Sequence, residues 1–148
     1  MVSPRFAFSS HGMDTERVEL IERFYEALSR RDVDALLELC DEDIEIYKAP
    51  GVVEMVSDLT PRGRERAAQY LRGWLASWEV YEPVVEQLRE SGDVVVALTQ
   101  VRSRGSGGQF DDDEQMADVF TVRGRRIARM RLYVSRDEAL RAAGEDPP

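Results

Sequence analysis

Between Ile21 and Tyr47 the chain reads IERFYEALSRRDVDALLELCDEDIEIY, and this stretch restricts the available folds more than any other. Val18, Ile21, Phe24, Tyr25 and Leu28 recur at three- and four-residue spacing, the stripe of a helix with one buried face. Asp14 stands before that run as its N-cap. Asp32 is placed to cap a second, short helix that buries Val33, Leu36, Leu37, Leu39 and Cys40. The acidic turn Asp41-Glu42-Asp43 hands over to Ile44-Glu45-Ile46-Tyr47, which alternates with the period of a strand. The opening order is therefore helix, helix, strand.

The later elements follow the same logic. The spacing predicts a third helix over residues 64–78, with Tyr70, Leu71, Trp74, Leu75 and Trp78 on one broad face. Four-residue steps should bring the rings of Tyr70, Trp74 and Trp78 together. These aromatics form either a pocket wall or plain core against a sheet. Strands are predicted over 80–90, 94–104, 109–122 and 127–134, joined by Ser91-Gly92-Asp93, a Gly-Ser-Gly-Gly run at 105–108, and Arg123-Gly124-Arg125. A short helix over 136–142 ends the pattern. Early helices followed by hairpin-linked strands make an α+β class. Residues 49–60 form a long connection rich in Val, Met and Leu, which predicts a segment folded over a pocket mouth or a partner subunit.

Bulk properties exclude several functions. With 148 residues the chain suits one domain, expected over 13–143, with 1–12 as a disordered extension and 144–148 as a tail. A net charge of −9 argues against nucleic acid, whose binding rests on Lys and Arg neutralising phosphate. No apolar run is long enough for a membrane span and no secretion signal is apparent, so the default location is the cytoplasm. Cys40, the single cysteine, excludes an intramolecular disulfide and reads as a buried inert thiol rather than a reactive one. The sole histidine, His11, lies in the expected extension, which removes serine–histidine and histidine–metal chemistry. The run Asp111-Asp112-Asp113-Glu114 sends its carboxylates to opposite faces and reads as solvated charge rather than a metal site. No phosphate-binding or dinucleotide fingerprint occurs, and no cofactor or metal is expected.

One residue breaks the hydrophobic pattern. Met116, Asp118, Phe120 and Val122 share one face of the fourth strand, while Ala117, Val119 and Thr121 share the other. On the last strand Ala128, Met130, Leu132 and Val134 are apolar, opposite Arg129, Arg131 and Tyr133. A carboxylate on an apolar face costs several kcal/mol, roughly, if it stays ionised and unpaired. Asp118 must therefore pair with a base such as Arg131 or Arg102, reach water, or keep its proton as a hydrogen-bond donor or general acid. Lys48 ends the first strand on the side of Ile44 and Ile46, towards the same region. Tyr25, Tyr47 and Tyr133 offer hydroxyls, or serve as rings at the core edge.

This order of elements resembles the SnoaL-like branch of the NTF2-like superfamily. Further matches are Arg62-Gly63-Arg64-Glu65 entering the third helix, Gly92-Asp93-Val94-Val95-Val96 opening a strand, the hairpin from Asp118 to Ile127, and Arg131-Leu132-Tyr133-Val134-Ser135. The resemblance implies a cone-shaped, mostly antiparallel sheet wrapped around the helices, with one deep apolar pocket. It implies a small apolar ligand and a homodimer formed through the outer sheet face. Asp118 falls where ketosteroid isomerases keep a protonated aspartate, which implies an acid–base or hydrogen-bonding role. Phe24 replaces their helix-one tyrosine and Lys48 their base, so steroid isomerisation is not expected. Leu132 stands where limonene epoxide hydrolase keeps its last carboxylate, so that reaction is not expected either. The implied pocket comprises Phe24, Tyr25, Lys48, Tyr70, Trp74, Trp78, Met116, Phe120, Met130 and Leu132, with Asp118 as the catalytic candidate. A non-catalytic binding or dimerisation module, with Asp118 structural, is the alternative.

Overall fold

The computed structural model describes residues 14–48, 61–105 and 111–145. Helix α1 (Thr15–Ser29) and helix α2 (Val33–Glu38) lead into strand β1 (Cys40–Lys48). Helix α3 (Arg64–Ala76) precedes β2 (Trp78–Ser91), β3 (Val94–Gly105), β4 (Asp111–Arg123) and β5 (Arg126–Tyr133), and α4 (Arg136–Glu145) follows. The five strands form one curved sheet in the order β1-β5-β4-β3-β2. Neighbours are antiparallel except β1 and β5, which run parallel. The α+β architecture expected from the sequence is what is found.

Local chemistry explains the early elements. The Asp14 carboxylate accepts from the amides of Glu16 (2.9 Å) and Arg17 (3.2 Å), and Asp32 accepts from Ala35 (3.1 Å), so both expected caps form. Each such cap stabilises its helix by about 1 kcal/mol. Gly63, at φ 89°, enters α3 from a left-handed conformation that a β-carbon would resist, and its amide donates to Ile44 at 2.8 Å.

Three local expectations are revised, the first being the acidic turn Asp41-Glu42-Asp43, which lies within β1. Cys40 is the first residue of β1 rather than part of the second helix. It is still buried, and its thiol contacts the Leu36 carbonyl at 3.3 Å. The third helix stops at Ala76, so Trp78 opens β2. Its ring nonetheless meets Trp74, with centroids 5.5 Å apart, because the chain turns tightly between them. Residues 1–13, 49–60, 106–110 and 146–148 lie outside the described residues. The expectations for the extension, the long connection and the tail fall there.

The sheet carries a core on each face. Helices α1, α2 and α3 press Ile21, Tyr25, Leu36 and Trp74 onto the inner face, against Val85, Val95, Ala97, Phe120 and Ile127. Helix α4 lays Ala139 and Ala143 on the outer face over Val94, Val96, Leu98, Ala117 and Val119. This explains why β3 reads VVVAL without alternation: the strand is buried on both sides.

A single arginine joins the inner layer. Arg31 adopts φ 57°, a conformation that costs an L-residue roughly 1–2 kcal/mol. Its guanidinium donates to the carbonyls of Leu75 (2.7 Å), Trp78 (2.8 Å) and Glu79 (3.2 Å), closing the end of α3 onto the start of β2. Arg31→Ala strands those carbonyls and keeps the unfavourable φ. Urea unfolding should show a loss of about 1–3 kcal/mol, whereas Arg30→Ala, an exposed neighbour, should change stability by less than about 0.5 kcal/mol.

Candidate functional site

Asp118 sits in the middle of β4, paired with Ala97 of β3 and Leu132 of β5. Alternation turns its side chain to the inner face, between Met116 and Phe120. There it meets α1, whose stripe carries Tyr25 at the point facing the sheet. The Tyr25 hydroxyl donates to Asp118 Oδ2. No other hydrogen bond to Asp118 is found among the described residues, so Oδ1 has no partner there. Neither Arg131 nor Arg102 reaches it: Arg131 lies across the sheet and donates to the Tyr133 hydroxyl at 3.3 Å, and Arg102 is exposed.

The surroundings of this carboxyl are apolar. Asp118 lines a pocket of about 60 Å³ together with Phe24, Leu28, Ile46, Tyr70, Leu71, Trp74, Tyr81, Met130 and Leu132. Rings brace its walls. Phe24 packs edge-on against both Tyr25 (5.2 Å) and Phe120 (5.1 Å). Trp74, Trp78 and Tyr81 form a second cluster with centroid separations of 5.5–5.8 Å. A cavity of roughly 150 Å³ accommodates benzene. The described walls therefore take in only one end of such a molecule.

Of the residues expected in the pocket, Phe24, Tyr70, Trp74, Met130, Leu132 and Asp118 line it. Tyr25 and Phe120 do not, because both are sealed in the core behind the carboxyl, with 0% exposure. Met116 lies one step further along β4, and Trp78 stands behind Trp74 and Tyr81. Lys48 pairs with Leu132 through its backbone; its side chain lies outside the described residues. Leu28, Ile46 and Leu71 belonged to predicted apolar faces, but Tyr81 carried no such sign. Bulges after Trp78 and after Val85 interrupt the alternation of β2, which hides the inward set Tyr81, Pro83 and Val85.

The titration of this group follows from its position. Burial pushes the Asp118 pKa from 3.8 up to about 6, partly opposed by the Tyr25 hydrogen bond, which favours the ionised form. Tyr25 itself is held well above the ordinary tyrosine value, first by burial and then by the adjacent carboxylate. It remains a neutral donor at any physiological pH. Burial and then Asp118 likewise raise Tyr81. Cys40, by contrast, is pushed up to about 12 by burial and stays an inert thiol at neutral pH.

Two larger grooves, of about 290 and 480 Å³, lie elsewhere and are dominated by charged side chains. Their ions are largely engaged with one another: Arg17 with Glu90 and Asp93, Arg125 with Glu16, and both Arg62 and Arg129 with Glu45. No group of three or more metal-ligating side chains occurs among the described residues. No helix there is long and apolar enough to cross a membrane.

Comparison with known proteins gives this geometry a family. The SnoaL-like domain model matches residues 21–130. The chain belongs to the SnoaL-like domain family. An NTF2-like protein of unknown function from Burkholderia pseudomallei K96243 superposes with a TM-score of 0.74 at 18% identity, over 86% of this chain and 97% of that one. A second NTF2-like protein, from Burkholderia xenovorans LB400, shares 26% identity at a TM-score of 0.67, with 89% and 99% covered. A Catenulispora acidiphila DSM 44928 protein with a ketosteroid isomerase-like fold, in complex with trimethylamine, gives 0.67 at 20% identity, over 88% and 98%. No curated protein matches the chain. The SnoaL-like scaffold alone does not specify a reaction.

The carboxyl yields two expectations. Because the folded-state pKa exceeds 3.8, the native protein retains a proton between about pH 4 and pH 6 that the unfolded chain has released. Stability from this group is complete below pH 4 and is lost as pH rises through 6. Asp118→Asn removes that loss. At pH 7 the variant should gain on the order of 1–3 kcal/mol over the wild type, and little or nothing at pH 4, by paired denaturant titrations. Separately, Tyr25→Phe removes the hydrogen bond that lowers this pKa. Carbon-13 NMR titration of the Asp118 carboxyl should move upward from about 6; a downward movement would contradict the assigned bond.

Proposed function

We propose that this SnoaL-like protein binds a small, largely apolar molecule in the inner pocket and catalyses cofactor-independent acid–base chemistry on it, of the cyclase or isomerase type, through Asp118. The observation that supports this reading is a carboxyl with one oxygen held by Tyr25 and the other without a partner among the described residues, set in a pocket of aromatic and aliphatic side chains. A pKa of about 6 leaves both protonation states populated near neutral pH, as a group that alternately accepts and returns a proton requires. In its ionised form Asp118 takes a proton from a carbon next to a carbonyl. In its protonated form it returns one, so the group ends each cycle as it began. Tyr25 acts through Asp118, fixing its orientation, and does not itself meet the ligand.

A second reading, a non-catalytic ligand-binding or dimerisation module, is favoured by two positions. Phe24 and Leu132 put apolar groups where related enzymes of the superfamily place a donor and a carboxylate. A homodimer through the outer sheet face belongs to either reading. Tyr47, Arg129, Arg131 and Tyr133 remain partly exposed on that face, beside the area α4 covers.

The readings separate in one experiment. The protein is incubated with cyclohexanone in deuterated buffer, and exchange at the carbons beside the carbonyl is followed by proton NMR from pH 4 to 8. For the enzyme, exchange exceeds the buffer rate, changes with an apparent pKa near 6, and falls by roughly 10²-fold or more in Asp118→Asn. For the module, the wild type and Asp118→Asn both match buffer, while cyclohexanone still shifts the resonances of pocket residues.

A further inference from the structure

The pocket displays polar groups besides Asp118. Tyr81 of β2 lines it, and its ring packs against both Trp74 (5.8 Å, 78°) and Trp78 (5.7 Å, 42°). A phenol packed this way usually finds a hydrogen-bond partner for its hydroxyl. Tyr81 finds none among the described residues, although its hydroxyl lies near enough to Asp118 and Tyr70 to feel both. Tyr81 is only partly buried, so its hydroxyl is open to a molecule in the pocket. Asp118 Oδ1 also lacks a partner there. The pocket wall thus presents the Tyr81 phenol and one carboxyl oxygen of Asp118, both without hydrogen-bond partners among the described residues, beside the further hydroxyl of Tyr70.

We infer that Tyr81 is a ligand-contacting residue which, together with Asp118, grips a single carbonyl or hydroxyl oxygen at the end of an apolar ligand. The inference rests on the pocket reading above and adds the chemical class of the ligand's recognised end. Both protonation states of Asp118 fit. An ionised Asp118 accepts from a ligand hydroxyl that itself accepts from Tyr81. A protonated Asp118 and Tyr81 both donate to a carbonyl oxygen. A hydrocarbon of the same shape leaves both groups unpaired, and the site should reject it. The limited volume agrees, since the described walls enclose the oxygen and its nearest carbons while the remainder of the molecule extends past them.

The test compares 4-fluorophenol with 4-fluorotoluene, nearly isosteric and differing in the oxygen, by fluorine-19 NMR titration. The wild type should bind the phenol about tenfold or more tightly, the worth of roughly one net hydrogen bond. Tyr81→Phe should bring that ratio to within about threefold without changing 4-fluorotoluene affinity, and Tyr47→Phe, on the other sheet face, should leave it unchanged. A wild-type ratio near one, or a tenfold ratio that survives in Tyr81→Phe, overturns the role of Tyr81 while the pocket reading stands. If neither probe binds the wild type, both readings fall. Should Tyr81→Phe not fold, nuclear Overhauser contacts between bound 4-fluorophenol and selectively labelled tyrosine rings decide in the wild type: contacts with Tyr81 support the assignment, and contacts elsewhere only overturn it.

Discussion

A carboxyl placed at the centre of an apolar sheet face is the constraint around which the inner layer is arranged. Desolvation penalises its ionised form, and among the described residues the fold answers with one bond from Tyr25. That choice adds a hydrogen bond to the ring contacts between α1 and β4 and sets which oxygen of Asp118 is engaged. It also sets the order of the layers. Phe120 and the Tyr25 ring fill the space behind the carboxyl, and the described pocket lies in front of it, toward Trp74, Tyr81 and Leu132. An arginine partner would have held Asp118 ionised and cancelled the acid–base character that burial confers.

Much of this was readable from residue order. Asp14 and Asp32 precede apolar stripes, and a capping carboxylate acts within three residues, so both caps were visible. Asp118 stood out because alternation is strict on a regular strand. Local patterns failed where the deciding contact was distant. Cys40 is apolar and adjacent to a helix, and only the parallel pairing with Ile127 makes it a strand residue. Tyr81 was missed because bulges shift the facing of β2 and a shifted strand no longer shows its inner set by counting. The Tyr25–Asp118 bond spans two elements far apart in sequence. A tyrosine on a helical stripe reads equally as core, and only the packed structure shows where its hydroxyl ends.

Arginine supplies most of the polar connections between layers. Arg31 closes the α3–β2 corner, Arg64 donates to the Cys40 carbonyl at 2.7 Å, and Arg136 reaches the Thr99 carbonyl at 2.6 Å from α4. A planar guanidinium can satisfy several carbonyls at once and is not deprotonated in proteins. These braces therefore keep their charge across the pH range in which Asp118 titrates. The site changes charge inside a frame that does not.

The parallel pairing of β1 with β5 has a consequence for how the chain acquires its pocket. Ile46 forms one part of the wall and Met130 and Leu132 another, and their strands come from opposite ends of the described chain, with Cys40 set against Ile127. Such a contact closes a long loop and is entropically expensive early in folding. During synthesis on the ribosome, β1 must wait beside α2 until nearly the whole domain has emerged. The hairpins of β2 to β5 need no such delay, so the pocket is completed only when the first strand finds the last.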